Sequence, residues 1–174
     1  MSSEFFTISA KALEEAEQSS QFSLVVPDNA RPDRAGTGHR WSECVDIESV
    51  DAVMEPEKQR MYFEVALTIN GETLHPGNIG KQVSRRFYVM AEAAPATDGQ
   101  RTMSRNSLAR VQELVKACGH EVPKPMTSEW ISEMFGFDSP LKGQKAWVEI
   151  YQHTRKNEPG RLDIDFSKFI PYTA

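Results

Sequence analysis

The segment 61–69 constrains the fold of this chain more than any other, because large apolar residues occupy every second position along it and the positions between them are mixed in character. Every second position is apolar, namely Met61, Phe63, Val65, Leu67 and Ile69. Successive side chains of a strand point to opposite faces, so this period predicts a β-strand with one face in a core. Asn70 and Gly71 follow at once, and both tolerate the positive φ angles of a tight type I′ turn. The segment is therefore expected to open a β-hairpin, with 72–75 as its return arm.

Shorter patterns of the same kind predict the remaining elements. Strand periodicity is found at 22–26, 41–50, 81–90, 145–151 and 162–166. Apolar residues recur at helical spacing in 7–20, 104–118 and 127–135. Loops or turns are indicated by glycine, proline or charge at 31–38, 51–58, 91–101 and 158–160. Arg85 stands at an apolar position of its strand, which a β-bulge or a barrel-end position would explain.

The order of these elements predicts a mainly β fold with helical insertions, in the α+β class. It suits a small, partly open five-stranded barrel with a helix between core strands three and four, the arrangement of the oligonucleotide-binding (OB) fold. A β-sandwich with a helical insertion is the competing topology. Residues 1–20 are expected to form an acidic N-terminal helix or arm, and 21–174 a single OB-like domain.

The charge is distributed unevenly along the chain. The formal net charge is −5, but residues 1–72 carry −8 and residues 73–174 carry +3. Segment 81–124 alone carries +4, with eight basic and four acidic side chains. The acidic balance argues against a protein that sheathes duplex DNA, whereas a local basic groove would still attract phosphates over about one Debye length, ~10 Å.

The outward strand positions combine aromatic and basic residues. By parity they are Tyr62, Arg86, Tyr88, Lys145, Trp147 and Tyr151. Rings flanked by cations can stack unpaired bases and hold their phosphates, and stacking contributes ~1–3 kcal/mol per base. The alternative is that these rings pack beneath the helices, and Trp147 is the ring for which this structural role is most expected. Lys81, Arg101, Arg105 and Arg110 would extend the same groove, although the arginines of 104–118 could equally form a solvated helix face.

Signatures of catalysis and of metal binding are missing from the sequence. The four histidines are scattered and have no cysteine or carboxylate partner at metal-ligand spacing, so no zinc site and no cofactor is expected. No serine has the context of a catalytic nucleophile. Asp163, Asp165 and Glu149 are the only candidates for nuclease-like chemistry, and a solvated strand edge is the commoner explanation for such aspartates. We therefore predict that the protein is not an enzyme.

The sequence also indicates where the protein works. No apolar run approaches the ~18 residues that span a bilayer, and the N-terminus lacks the pattern of a secretory signal. Cys44 and Cys118 are far apart, so they are expected to be free thiols in the core or half-buried. These features predict a cytoplasmic protein.

The layout resembles a family of phage-encoded single-stranded-DNA-binding proteins of the OB-fold type. The matching pieces are short and structural, and they lie at 26–30, 35–38, 62–65, 80–87, 108–118, 141–143, 147–150 and 169–172. The acidic segment before residue 22 and the connection 51–58 depart from that pattern. The resemblance implies binding of unpaired DNA, in the host cytoplasm, during phage replication or recombination.

Two functions are thus expected from the sequence. The first is non-enzymatic binding of single-stranded nucleic acid with little sequence preference. The second is a protein-interaction or assembly module of a phage replisome or virion, because the acidic N-terminal portion would repel DNA and could recruit replication or recombination proteins with basic surfaces. A homo-oligomer is compatible with either function.

Overall fold

The computed structural model describes residues 7–19, 39–72, 79–155 and 158–172. For residues 18–19, 39–41, 151–155, 158–165 and 167 it describes the backbone alone. The predicted strand at 22–26, the predicted loop at 31–38 and most of the predicted return arm at 72–75 lie outside the described residues.

The described chain forms an α+β fold with five strands and three α-helices. The strands are β1 (His39–Glu55), β2 (Arg60–Ile69), β3 (Gln82–Met90), β4 (Lys145–Arg155) and β5 (Glu158–Pro171). The helices are α1 (Ala10–Ser19), α2 (Asp98–Ala117) and α3 (Ser128–Met134), and a short 3-10 helix, Pro56–Lys58, joins β1 to β2. The strands form one antiparallel sheet in the order β3-β2-β1-β4-β5. The predicted class and the predicted helix between the third and fourth core strands are confirmed.

Strand β1 is the centre of the sheet. Its first half pairs with β4 and its second half with β2, and a bulge at Ile47/Ser49 lies near the change of partner. In β2 every second residue from Met61 to Ile69 is buried, as the alternation predicts. The inward faces of the strands and the apolar faces of the three helices form one buried cluster. Burial of that apolar surface is the main stabilising contribution to the fold.

The two edge strands, β3 and β5, approach each other without forming a ladder, so the sheet stays open between them. Helix α2 contacts both edges. Arg85 donates from Nη1 to the carbonyl oxygen of Phe166 at 2.7 Å, and the rings of Phe87 and Phe166 lie 6.0 Å apart. The β2–β3 register runs through Arg85 without a shift, so a bulge at that position is excluded.

The predicted type I′ turn at Asn70-Gly71 is wrong. Neither residue has a positive φ, and the β2–β3 ladder closes only through Lys81 and Gly80, which bond Ile69. Asn70 instead remains attached to β1. Its amide Nδ2 donates to Cys44 Sγ at 3.3 Å and to Asp46 Oδ1 at 3.2 Å, and its backbone N–H donates to the Cys44 carbonyl. These bonds hold the chain on β1 where a tight turn would have reversed it.

Two other predicted loops belong to strands. Segment 51–55 continues β1, because Ala52 and Met54 face inward opposite Phe63 and Met61. Residues 158–160, predicted as a turn, open β5. Charged residues at outward positions of 51–55 make the inward apolar alternation difficult to recognise in the sequence. The segment is therefore predicted as a charged connection and not as a strand.

Helix α2 begins six residues before the predicted start at Ser104. Its N-cap is Thr97, whose hydroxyl accepts from the Gln100 backbone N–H while the Gln100 side chain accepts from the Thr97 N–H. This reciprocal pair is a capping box. Ser104 lies inside the helix, where its hydroxyl accepts from the Met90 backbone N–H at 2.8 Å and so ties α2 to the end of β3.

The predicted helices at 7–20 and 127–135 and the predicted strands at 81–90, 145–151 and 162–166 are confirmed, although β4 and β5 are longer than predicted, and 98–101 of the predicted loop 91–101 belongs to α2. Helix α1 has Ser9 as its cap, and helix α3 begins after Thr127. Gly119, with φ +83°, follows the end of α2 as predicted. Leu13 and Ala16 of α1 are fully buried against the core, so α1 is packed onto the rest of the described chain.

Candidate nucleic-acid interface

The outward face of β2 and β3 carries a compact set of aromatic and basic side chains. Cross-strand register places Tyr62 opposite Tyr88, Glu64 opposite Arg86, and Arg60 opposite Met90. The helices join the core on the inward face, whereas these outward side chains are all at least partly exposed. Arg86 retains 51% of its side-chain exposure. This surface is therefore open to solvent.

Two tyrosines and two arginines on this face contact each other diagonally. The Tyr62 and Tyr88 rings lie 5.3 Å apart at 53°, which is a tilted pair. The Arg86 guanidinium lies 4.6 Å from the centre of the Tyr62 ring, and that of Arg60 lies 4.5 Å from the centre of the Tyr88 ring. Both distances are within the ~6 Å range of cation–π attraction. We call these four residues the tyrosine–arginine ladder.

Carboxylates orient both arginines of the ladder. Glu64 accepts from Arg86 Nε at 3.1 Å, and Glu55 accepts from Arg60 Nε at 2.9 Å. A hydrogen bond to the Tyr88 hydroxyl, and then the nearby Tyr62 and Glu64, raise the pKa of the Arg86 guanidinium. The hydrogen bond from Arg60 lowers the pKa of Glu55. Both guanidinium groups are therefore held in a fixed direction.

On the β1–β4 half of the same sheet face, the predicted ring is buried and the predicted lysine is engaged by neighbouring side chains. Trp147 is only 8% exposed, and it lies in register between Cys44 of β1 and Ile170 of β5. Lys145 pairs with Glu72 at 3.1 Å, and its ammonium nitrogen lies 5.6 Å from the centre of the Tyr172 ring. The hydrogen bond to Glu72 raises the pKa of Lys145. The predicted base-stacking ring Trp147 thus offers little surface, and Lys145 is engaged by a carboxylate.

Tyr151, also predicted to bind bases, is described by its backbone alone. Its position in β4 is opposite Arg40 in β1 and Asp165 in β5. By strand alternation it stands on the same face as Trp147, four residues further along β4.

The predicted basic residues outside the ladder differ in exposure and in their hydrogen-bond partners. Lys81 is exposed immediately before β3. Arg110 donates to both carboxylate oxygens of Glu113 at 2.7 and 2.9 Å, so its charge is compensated. Arg101 donates to the carbonyl oxygens of Ala91 and Ala94 and fixes the segment before α2. Arg105 is exposed, and among the described residues it has no carboxylate partner.

Arg101 and Arg105 also line a cleft of about 660 Å³ at the end of β3. Its walls are the start of α1, the segment 91–93 and the first turns of α2. Met90 links this cleft to the ladder, since it lines the cleft and stands in register with Arg60. The structure therefore brings together Tyr62, Arg86 and Tyr88, with Arg101 and Arg105 beyond one end.

Sequence reasoning missed Arg60, the second cation of the ladder. The predicted strand begins at Met61 and the predicted charged connection ends at Lys58, so Arg60 belongs to neither prediction. Extending the same period by one residue would have placed Arg60 on the face of Tyr62. Its contact with Tyr88 depends on the register between β2 and β3. That register could not be derived from the sequence, because the turn after β2 was predicted at the wrong residues.

Three further features of the described residues bear on function: clusters of metal-ligand residues, the thiols and the lengths of the helices. No three histidine, cysteine, aspartate or glutamate side chains in this part of the chain are placed to hold a metal ion. Cys44 is buried and Cys118 half-buried, as predicted, and burial raises the pKa of the Cys118 thiol to about 12. No helix within the described ranges is long and apolar enough to cross a membrane.

Comparison of the chain with protein-family models, with curated proteins and with solved structures finds no match in any of the three.

Proposed function

We propose that this protein binds single-stranded nucleic acid, single-stranded DNA in the first place, on the outward face of β2 and β3. The observation that carries the proposal is the tyrosine–arginine ladder on an open sheet face. Every base has a π-face, so stacking on Tyr62 and Tyr88 is tolerant of sequence and contributes ~1–3 kcal/mol per base. Arg60 and Arg86 each contact a carboxylate through Nε, and their guanidinium groups have further N–H donors for the phosphates of the same strand.

The strand order supports this assignment. If the approaching edges of β3 and β5 are taken as neighbours, the order around the sheet becomes β1-β2-β3-β5-β4. We propose that the fold is a partly open barrel of the OB type, with α2 seated at the opening. In OB folds the face of strands two and three binds oligonucleotides, and this is the face that carries the ladder here.

The carboxylates Glu55 and Glu64 are compatible with phosphate binding. Each contacts its arginine through Nε, and a guanidinium carries five N–H donors. A phosphate approaching from solvent meets a guanidinium already held in place, so less side-chain entropy is lost on binding. By the resemblance to phage single-stranded-DNA-binding proteins, the biological role would be handling of unpaired DNA in phage replication or recombination.

The test is a fluorescence anisotropy titration of a labelled oligonucleotide at two salt concentrations. We expect binding that weakens with salt, because phosphate contacts release counterions. The variant Tyr62→Leu/Tyr88→Leu should lose about 5–150-fold in affinity per stacked base, the equivalent of ~1–3 kcal/mol. Tyr172→Leu, a tyrosine beside Lys145 and outside the ladder, is the matched control. Absent or salt-insensitive binding by the unaltered protein would reject the proposal.

A protein-interaction role is the second candidate, and one surface feature favours it. Phe137 is 84% exposed, and its ring is approached only by the ammonium of Lys142, at 4.7 Å, within the described residues. An aromatic side chain this exposed is a suitable anchor for a partner protein, including a second copy of this chain. Sedimentation of the protein and of Phe137→Ser would reveal self-association. The acidic helix α1 is a weaker candidate anchor, since its Glu17 pairs with Lys116 and Lys124 of the same chain.

A further inference from the structure

We propose that the cleft between α1, segment 91–93 and α2 is a subsite for one nucleotide of the bound strand, beyond those stacked on the ladder. This inference rests on the proposed function and extends it. The cleft volume of about 660 Å³ lies within the ~300–1,000 Å³ of small-molecule sites. It is thus large enough for a nucleotide and too small for a folded partner.

The first step of the argument is continuity. Met90 is a lining residue of the cleft and the cross-strand neighbour of Arg60. Arg60 lies over the Tyr88 ring, so the cleft begins one residue beyond the ladder. A nucleic-acid strand that lies across Tyr62 and Tyr88 and continues toward Arg60 therefore reaches the opening of the cleft. No second binding event is needed to fill it.

The second step concerns the chemistry of the lining. Ile8, Val89 and Leu108 are each less than 5% exposed and contribute an apolar lining to the cleft, which suits the face of a base. Lys11 and Arg105, both exposed, also line it and suit a phosphate. An apolar lining combined with basic side chains matches the two halves of a nucleotide.

The third step concerns charge. Arg101 donates to carbonyl oxygens, which satisfy its N–H groups without cancelling its charge. Arg105 has no carboxylate partner among the described residues. Glu15 and Glu92 also line the cleft, so a phosphate is favoured on the α2 wall and a base amino group on the opposite walls, where a carboxylate can accept from it.

The walls of the cleft are joined to each other. Ser9, just before α1, donates from its hydroxyl and its backbone N–H to Glu92 Oε1. Ser104 of α2 holds the Met90 N–H at 2.8 Å. These hydrogen bonds join the walls of the cleft to one another and to the end of β3. The cleft is therefore formed in the absence of a ligand, and binding does not require the walls to become ordered.

The experiment compares two labelled oligonucleotides, one of about four and one of about ten nucleotides, both within the ~4–16 nucleotides that an OB fold covers. Arg105→Gln removes the cleft cation, and Ala93→Trp fills the cleft from an exposed position. Lys142→Gln, an equal charge change on an exposed residue outside the cleft lining, is the control. Melting temperatures are recorded for every variant.

We expect each cleft variant to weaken binding of the longer oligonucleotide at least about fivefold, the effect of losing one stacked base. The shorter oligonucleotide should bind as before, and Lys142→Gln should change neither affinity. Unchanged affinity of both cleft variants for the longer strand, or an equal loss for both strands, would overturn the subsite while leaving the ladder intact. Failure of the unaltered protein to bind either strand would instead reject the proposed function and the subsite with it.

Discussion

Arg86 shows how a single residue can be both structural and available. Its guanidinium lies over the Tyr62 ring, bonds the Tyr88 hydroxyl and pairs with Glu64, yet half of the side chain is exposed. The three partners restrict its rotamers, and the exposed part faces the solvent from which a nucleic acid would arrive. A residue that is fixed before binding loses less entropy when it meets a phosphate.

Replacement of Arg86 by glutamine gives a quantitative prediction at the residue scale. Each phosphate contact on a single strand contributes about 0.7 to the slope of log K against log salt. Arg86→Gln should therefore reduce the magnitude of that slope by about 0.7 and weaken binding most at low salt. Titrations at four or more salt concentrations measure the slope. Lys142→Gln removes the same charge from a different surface and should leave it unchanged, whereas an unaltered slope in Arg86→Gln would remove Arg86 from the interface.

Among the elements, strand β2 is the one that the sequence predicts best. Its apolar residues are buried at every second position, because the period of two is a direct property of the extended backbone. The same rule put Tyr62, Arg86 and Tyr88 on one outward face. The rule does not set the register between strands, and register alone determines that Tyr62 meets Tyr88 and that Arg60 reaches its ring.

The start of α2 shows a different limit of sequence reasoning. Segment 98–103 is polar and almost fully exposed, so it lacks the apolar spacing that marked the rest of the helix. The local signal was nevertheless present, since Thr97 and Gln100 have the spacing of a capping box. Likewise Asn70-Gly71 has the sequence of a tight turn, but the tertiary bonds of Asn70 to Cys44 and Asp46 override that preference.

Helix α1 gives a prediction about pH at the scale of an element. Hydrogen bonds from Lys116 and then Lys124 lower the pKa of Glu17 below its usual 4.5. A carboxyl group whose pKa is lower in the folded than in the unfolded state stabilises the fold above about pH 4.5, and this contribution is lost as the pH falls through the folded pKa. Because the pair is partly exposed, the contribution should be modest, about 0.2–1 kcal/mol.

Urea denaturation of Glu17→Gln at several pH values measures this contribution. We expect the variant to be less stable than the unaltered protein at pH 7, with a difference that shrinks steadily below pH 4.5. Glu14→Gln, at an exposed position of the same helix, is the control and should show no such pH-dependent difference. A stability difference that persists undiminished in acid would show that Glu17 acts through packing and not through its charge.

At the scale of the whole molecule, the gap between the edge strands β3 and β5, which we call the seam, determines how firmly the two edges of the sheet are held together. No ladder joins these edges, and α2 contacts both. Arg85 connects the edges directly, through its 2.7 Å bond to the Phe166 carbonyl. Its guanidinium also lies 4.9 Å from the centre of the Phe87 ring, which itself packs near Phe166. Arg85 thus occupies an apolar strand position because its charged end leaves the core at the seam.

Arg85→Met keeps the apolar stem and removes the donor, so it tests the seam. A hydrogen bond from a charged donor contributes about 1.5–3 kcal/mol, and the free energy of unfolding should fall by an amount of that order. Amide hydrogen exchange should rise along β3 and β5 and remain slow in the β1–β2 ladder, because the lost bond to the Phe166 carbonyl lies between β3 and β5. Arg86→Met, the adjacent residue on the outward face, should leave exchange at the seam unchanged. If Arg85→Met accelerates exchange equally in all five strands, the edges are held by the common core and Arg85 has no separate role in joining them.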